Sequence, residues 1–319
     1  MWAEYPEVEK ELEVVEKYIR DNIRSRNKLL NSIVTELVDA GGKRLRPAFV
    51  IIASKFGKYN PKKSIPMAGA FEILHTATLV HDDIIDHAKY RRSKKTVSHR
   101  YGSDIAIYTG DFLFTKAVLM LSRDIPTDQM EIVARAIKVI CEGEVDQYQD
   151  RYNVNSSVMS YLKRINRKTA VLFSTACAVG AYLSKCPAKV VRNLARFGFC
   201  YGMAFQIKDD LKDFLSDEKS EGKPVGHDIL KGIFTLPAIY AINKNSEVRA
   251  FIKRLTDKKE NIEDTELIEL YGLIRKEDGI RYTGEILDRY ITRGMTALDN
   301  IPDNRYKKIL RELLNELAL

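Results

Sequence analysis

The chain has 319 residues, 45% of them hydrophobic and 30% charged, which is enough apolar material to bury a large core and too much for a disordered chain. Its 17 Gly and 9 Pro make about 8% of the residues against a usual ~12%, so the punctuation that many short strands need is scarce. Lys and Arg number 52 against 44 Asp and Glu, a net charge of +8. That admits nucleic acid, a membrane surface or an anionic small substrate, and its sign alone does not choose among them.

The N-terminal segment MWAEYPEVEK is charged from Glu4 and has no apolar stretch with a small-residue cleavage site, so no secretory leader is expected and the chain reads as cytoplasmic. Apolar residues then recur at helical spacing while strict alternation never lasts, which predicts an all-α fold. Helices are expected at 7–38, 44–56, 66–87, 104–122, 128–150, 157–184, 188–216, 227–243 and 247–256, with three shorter ones from 263 to the end. Pro66 suits a first helical turn, and Pro187 suits a stop between two apolar patterns. No repeat or low-complexity linker interrupts the chain, so residues 1–319 read as one domain of packed, largely antiparallel helices. Cys141, Cys177, Cys186 and Cys200 lack CxxC or His-paired spacing and are expected to be buried free thiols. The longest uncharged stretch, Thr169 to Ser184, is shorter than the ~18–20 apolar residues of a spanning helix, so no transmembrane segment is expected.

Two acidic clusters close apolar helical patterns. Leu79-Val-His-Asp-Asp-Ile-Ile-Asp86 puts Asp82 and Asp86 four apart, one turn, on one face, with Asp83 beside them. Phe205-Gln-Ile-Lys-Asp-Asp-Leu-Lys-Asp213 repeats the pattern with Asp209, Asp210 and Asp213. Stacked like charges near a helix C-terminus repel one another and oppose the dipole, so a positive partner is expected. Oxygen ligands without His or Cys suit a hard cation, and magnesium, which keeps positions for phosphate, fits best.

The basic residues become informative by position. Gly41-Gly-Lys-Arg-Leu-Arg-Pro47 sets Lys43, Arg44 and Arg46 at a loop entering a helix, where cations and free backbone donors can hold a phosphate. Lys89-Tyr-Arg-Arg-Ser-Lys-Lys95 follows the first acidic cluster, Lys168-Thr169 opens an Ala-rich pattern, and Lys223 lies in Glu221-Gly-Lys-Pro-Val-Gly-His-Asp228. Carboxylates for magnesium with scattered cations in an apolar helical setting describe a site for a diphosphate attached to a greasy group. Nucleic acid fits poorly, because the basic groups alternate with dense acid and lack interleaved exposed aromatics.

GGKRLRP at Gly41 to Pro47, HDDIID followed by RR at His81 to Arg92, KTA at Lys168 to Ala170, FQIKDDLKD at Phe205 to Asp213 and GKPVGHD at Gly222 to Asp228 resemble the trans-isoprenyl diphosphate synthase family, in order, across residues 40 to 240. The resemblance implies antiparallel helices around a deep central cavity, usually as a homodimer, with both aspartate motifs at the cavity mouth. It implies magnesium, three ions per site, helping an allylic diphosphate to ionise before isopentenyl diphosphate attacks the allylic carbon. By motif position Asp82 and Asp86 hold magnesium from one side and Asp209 from the other, supported by Asp83, Asp210 and Asp213. Arg91, Lys168, Gln206 and Lys223 are implied contacts of the allylic diphosphate. Lys43, Arg46, His75 and Arg92 are implied contacts of isopentenyl diphosphate, and Thr169 is the implied dipole near the developing cation. Two departures stand out. Arg91-Arg-Ser-Lys-Lys-Thr96 replaces the usual RRGxPT, and Ile233 stands where the family carries Lys after Gly232.

Product length depends on how deep the chain can reach beside the helix ending at Asp82. An isoprene unit is ~5 Å, close to one helical turn, so each cleared turn admits roughly one more unit. Ala77 and Thr78 are small, with Leu74 and Phe71 as the next floors, and Ala77→Phe is expected to shorten the product. This favours a product longer than farnesyl, in the hexaprenyl to octaprenyl range. The alternatives are a geranylgeranyl diphosphate synthase and a catalytically impaired regulatory subunit of a hetero-oligomer, for which Ile233 speaks. A terpene cyclase fits less well, because the second DDxxD cluster is intact.

Overall fold

The structure, a computed structural model, describes residues 1–124, 126–215, 229, 231–258 and 263–319. It is all-α, with one minimal β-hairpin. By its internal contacts the chain divides into two compact units. One comprises Met1–Val133, Thr175–Ala195 and Pro302–Tyr306, and the other Ala134–Ser174, Arg196–Ile301 and Lys307–Leu319.

In the first unit, helices α1 (Pro6–Asn22) and α2 (Lys28–Asp39) occupy the stretch expected to be one long helix. The break is chemical: Asn27 caps α2 by accepting the Leu30 N–H at 3.0 Å, and the Asn31 side chain accepts the Ser25 N–H. Asn and Ser offer the backbone partners outside a helix and so favour caps over interiors. Helix α3 (Leu45–Ser54) is almost wholly buried. Helix α4 (Pro61–Ile85) begins five residues before Pro66: Asn60 caps it and Pro61 takes the first turn, so Pro66 lies inside the helix rather than at its start. It packs chiefly against α6 (Ser103–Asp124), and also against α3 and α1.

Between α4 and α6 comes a hairpin that helical periodicity does not predict. Strands β1 (Tyr90–Arg91) and β2 (Lys94–Lys95) pair antiparallel, Tyr90 opposite Lys95 and Arg91 opposite Lys94. The connecting residues Arg92 and Ser93 have φ of 50° and 63°, the sign pattern of a two-residue type I′ turn. A short helix α5 (Val97–Tyr101) follows, capped by the Thr96 side chain.

Helices α7 (Thr127–Gln149), α9 (Val171–Leu183) and α10 (Ala188–Leu215), like the last helix of the chain, have residues in both units. In the second unit, the segment expected to be one helix from 157 is α8 (Val158–Ile165), then a π-helical turn at Asn166–Ala170, then α9. Helix α11 (Leu236–Lys244) packs on α14 (Gly279–Asp299), with α12 (Ser246–Lys258) and α13 (Asp264–Lys276) beside it. Helix α15 (Arg305–Asn315) closes the chain. At 21 residues, α14 is not one of three short C-terminal helices.

Candidate active site

The first unit contains a cavity of about 120 Å³ whose wall includes Glu72, His75, Thr76, Leu79, Val80 and Asp83, one face of α4. Arg91, Arg92, Lys94 and Lys95 of the hairpin line it as well, as does Arg100 of α5, which donates to Glu36 at 2.6 and 2.7 Å. Arg44 lines it too, yet it is tied into the fold. Its φ is 49°, it is buried, and it donates to Glu16 at 3.1 Å, to Glu72 at 2.6 Å and to the Val38 carbonyl at 2.7 Å. Within GGKR, therefore, Arg44 anchors the loop. Exposed Lys43 is held through its backbone, where the Trp2 indole donates to its carbonyl at 2.6 Å. Half-buried Arg46 sits in the first turn of α3. Neither Lys43 nor Arg46 belongs to the cavity wall.

His75 is the centre of this arrangement. Burial first, then the positive charges of Arg46, Arg91, Arg92 and Arg44, push its pKa well below the ordinary imidazole value. These cations disfavour a further proton on the imidazole, and a bound anion would relieve that repulsion. Arg92 reaches back from the turn to donate to the Gly41 carbonyl. A Cβ on Gly42 would lie 2.7 Å from Arg92 Nη1, so the glycine leaves room for the guanidinium. Gly41 itself has φ of 69°.

The first aspartate cluster ends α4. Asp86 is the C-cap residue, its N–H bonded to the Asp82 carbonyl at 2.8 Å, so the two carboxylates keep the spacing of one turn. Asp83 is buried and accepts from Arg91 Nε at 2.8 Å, which joins the hairpin to the acidic helix end. Arg91 and Arg92, adjacent in sequence, thus serve different partners.

The second cluster lies on α10 in the other unit. Asp209 is exposed with Lys212 at 3.7 Å, Asp210 is buried, and Asp213 is half-buried. Asp210 accepts from Tyr161 OH at 2.6 Å and from Gln206 Nε2 at 2.8 Å. Gln206 Oε1 in turn accepts from Thr169 Oγ1 at 2.8 Å. Lys168, next to Thr169, meets Glu144 at 3.2 Å. The π turn carrying both residues is marked by Val171 N–H bonding to Asn166 O, five residues back. Such turns insert a residue and re-aim side chains, and they recur at functional sites. Gly202 lets α10 approach that turn, since a Cβ there would stand 2.5 Å from the Ala170 Cα.

Lys223 and the rest of Gly222 to Asp228 lie outside the described residues. Ile233 follows Gly232, whose φ of 72° and contact with the Tyr152 ring leave no space for a side chain. Residues 231 and 232 form a turn, so Lys231 is not on a helix here. Among the described residues no group of three or more His, Cys, Asp or Glu is gathered as for a metal. The donors come as oxygen-only pairs, which suits magnesium, since that ion takes one or two carboxylates and completes its shell with water and phosphate. Tyr161 and the π turn escaped the sequence reading. A tyrosine seven residues before Lys168, two helical turns away, was the available signal for the first, and nothing local announces the second.

These features define a class: an all-α transferase with a basic cavity and carboxylate pairs suited to a phosphorylated substrate. The chain belongs to the polyprenyl synthetase family, whose model matches residues 27–274, and it is a prenyltransferase. It is 35% identical over 311 residues to heptaprenyl diphosphate synthase component 2 of Geobacillus stearothermophilus, covering 98% of this chain and 96% of that one. The crystal structure of heptaprenyl diphosphate synthase from Staphylococcus aureus superimposes with a TM-score of 0.92 at 36% identity, covering 97% of each chain. Polyprenyl synthase from Caulobacter crescentus, complexed with calcium and isoprenyl diphosphate, gives a TM-score of 0.90 at 31% identity, with 97% and 94% covered.

Proposed function

We propose that the protein catalyses head-to-tail condensation of isopentenyl diphosphate with an allylic diphosphate to give an all-trans product longer than farnesyl, in the hexaprenyl to octaprenyl range. The observation that carries this reading is the cavity that gathers His75, Arg44, Arg91 and Arg92 beside the helix that ends in the Asp82–Asp86 pair. A basic recess next to a carboxylate pair separates two phosphate roles: one diphosphate held by cations, and another held through a divalent ion.

In this reading Arg92 and His75 hold the isopentenyl diphosphate, joined by Lys43 and Arg46. Arg91, Lys168, Gln206 and Lys223 hold the allylic diphosphate. Asp82, Asp86 and Asp209 bind magnesium, with Asp83, Asp210 and Asp213 behind them, and three ions fill the site. Magnesium, when bound, offsets the negative charge that grows on the departing diphosphate. The protein's share is to hold the diphosphates, keep water away from the cation and aim the Thr169 dipole at it. The two aspartate clusters act on one substrate within a single catalytic domain.

The Geobacillus relative is named as component 2 of a synthase, and α6 presents Ile107, Tyr108, Phe114 and Leu119, all more than a third exposed. It is also the one described helix long and apolar enough to cross a membrane by length and composition. From that relative's name we read the protein as the catalytic component of a hetero-oligomer, in preference to a homodimer that works alone, with the exposed apolar side chains of α6 as a surface that either kind of partner could cover. The test is incubation of the purified protein with isopentenyl and farnesyl diphosphates and magnesium, alone and with its partner component, followed by sizing of the prenyl alcohols. Products of six to eight isoprene units only when the partner is added support the hetero-oligomer, whereas the same products from the protein alone support the homodimer. No elongation in either case overturns the functional reading.

A further inference from the structure

We infer that Tyr161 and Asp210 are positioning residues that fix the direction of the Thr169 hydroxyl through the Gln206 amide. The inference rests on the proposed role of Thr169 beside the developing cation and adds what sets its polarity. Four side chains form a single file in one unit: Tyr161 OH to Asp210 Oδ2 at 2.6 Å, Gln206 Nε2 to Asp210 Oδ1 at 2.8 Å, and Thr169 Oγ1 to Gln206 Oε1 at 2.8 Å. Tyr161 is wholly buried, with Thr169 at 4% and Asp210 at 7% exposure.

The order of donors is forced by chemistry. A carboxylate only accepts, so the face of Gln206 that meets Asp210 must be its NH2 group, and the carbonyl must face the other way. A carbonyl only accepts, so the Thr169 hydroxyl must donate to it. The proton of Thr169 is thereby committed to Gln206, and its remaining lone pairs face away from that partner. Thr169 alone can rotate its hydroxyl through several positions, and an amide alone can turn by half a revolution. Asp210 removes both freedoms, and Tyr161, donating to its second oxygen, holds the carboxylate in place. A dipole set before the reaction avoids reorganisation when charge develops, which is where electrostatic stabilisation gains most.

Local geometry builds the file. The π turn at Asn166–Ala170 carries Thr169, and Gly202 allows the close approach of α10 to it. Gln206 follows Gly202 by four residues and Asp210 follows Gln206 by four, so all three share one face of α10. Tyr161 comes from α8, on the far side of the π turn.

A double-mutant cycle tests this. Tyr161→Phe keeps the ring and removes the donor, and it should lower kcat on the order of tenfold with KM for isopentenyl diphosphate unchanged. Thr169→Val should lower kcat at least as much, and Thr169→Ser should restore it. In the Thr169→Val background Tyr161→Phe should change kcat by less than about twofold, because the residue it acts through is already gone. Equal losses in both backgrounds, or a Tyr161→Phe variant with unchanged kcat, would overturn the inference.

A second readout needs no substrate. The chain has four glutamines, so side-chain 15N-glutamine labelling gives four NH2 pairs, and the Gln206 pair is identified by its loss in Gln206→Met. That pair should shift in both Tyr161→Phe and Thr169→Val, and a signal unmoved by either contradicts the file even if a variant is too unstable to assay. A wild-type protein that elongates nothing with its partner, yet shows these shifts, would fail the functional reading and leave the file standing.

Discussion

At the scale of single residues, neighbours in one motif do different work. Arg44 is held by Glu16, Glu72 and the Val38 carbonyl, and Arg44→Ala would leave the Glu72 carboxylate buried without its cation. The expected loss is ~3–5 kcal/mol, read as a lower urea midpoint. Lys43→Ala, at an exposed position, should leave the midpoint within ~0.5 kcal/mol and raise KM for isopentenyl diphosphate. His75 gives a pH prediction whose sign follows from its lowered pKa. The unfolded chain takes up the His75 proton near pH ~6.5 and the folded chain only well below it, so this group's stabilising contribution is present above that pH and is lost as pH falls. Melting temperature should therefore fall less between pH 7 and 5 in His75→Gln than in the wild type. Diphosphate binding removes the repulsion from Arg44, Arg46, Arg91 and Arg92 and should draw a proton onto His75, seen as proton uptake by calorimetry in two buffers. The thiols divide in a way that spacing does not reveal: Cys177 and Cys200 are buried, Cys186 is half-buried, and Cys141 is exposed on α7. Burial pushes the Cys186 and Cys200 thiols up to about 11, so Cys141 should be the one that a thiol reagent titrates rapidly in the native protein.

At the scale of elements, α4 joins the basic cavity to the carboxylate pair and carries the proposed ruler. At about 100° per residue, Thr78 stands about 40° round the helix from Asp82 and Phe71 about 20°, whereas Ala77 stands about 140° away. Thr78 is half-buried while Ala77 is 1% exposed. We therefore expect Thr78→Phe to shorten the product and Ala77→Phe to act mainly by overpacking, at ~1–3 kcal/mol, a ranking that rests on helix phase and on the burial of Ala77. Sized prenyl alcohols and melting curves of the two variants check it, and the reverse pattern would return the chain-length role to Ala77. The hairpin offers a parallel test: Gly42→Ala puts a methyl 2.7 Å from Arg92 Nη1 and should raise KM for isopentenyl diphosphate, leaving kcat nearly unchanged. The type I′ turn that holds Arg92 was beyond the sequence reading, because Arg-Ser is not the Asn-Gly or Asp-Gly pair that signals it.

At the scale of the whole molecule, most of the fold is legible because its signal is redundant. A helix such as α10 repeats its apolar spacing over 28 residues, and one misread position changes nothing. What was misread depends on single side chains. Asn27 splits one expected helix into α1 and α2, Asn60 moves the start of α4 ahead of Pro66, and the π turn shifts one hydrogen bond in an otherwise uninterrupted helical pattern. The aspartate clusters were legible because four-residue spacing is itself helix geometry. The Tyr161–Asp210–Gln206–Thr169 file was not, because it joins residues 49 positions apart. The net charge acquires a local meaning: part of the basic excess gathers around His75, and Arg91 ties that region to Asp83.

The central claim is that the Asp82–Asp86 pair and the basic cavity serve magnesium-dependent chain elongation. Its most direct test is the elongation rate of Asp82→Ala, measured with isopentenyl and farnesyl diphosphates and saturating magnesium under the conditions in which the wild type elongates. The account predicts a drop of roughly a hundredfold to a thousandfold or more with an unchanged melting temperature. Near-normal magnesium-dependent elongation by that variant would contradict it.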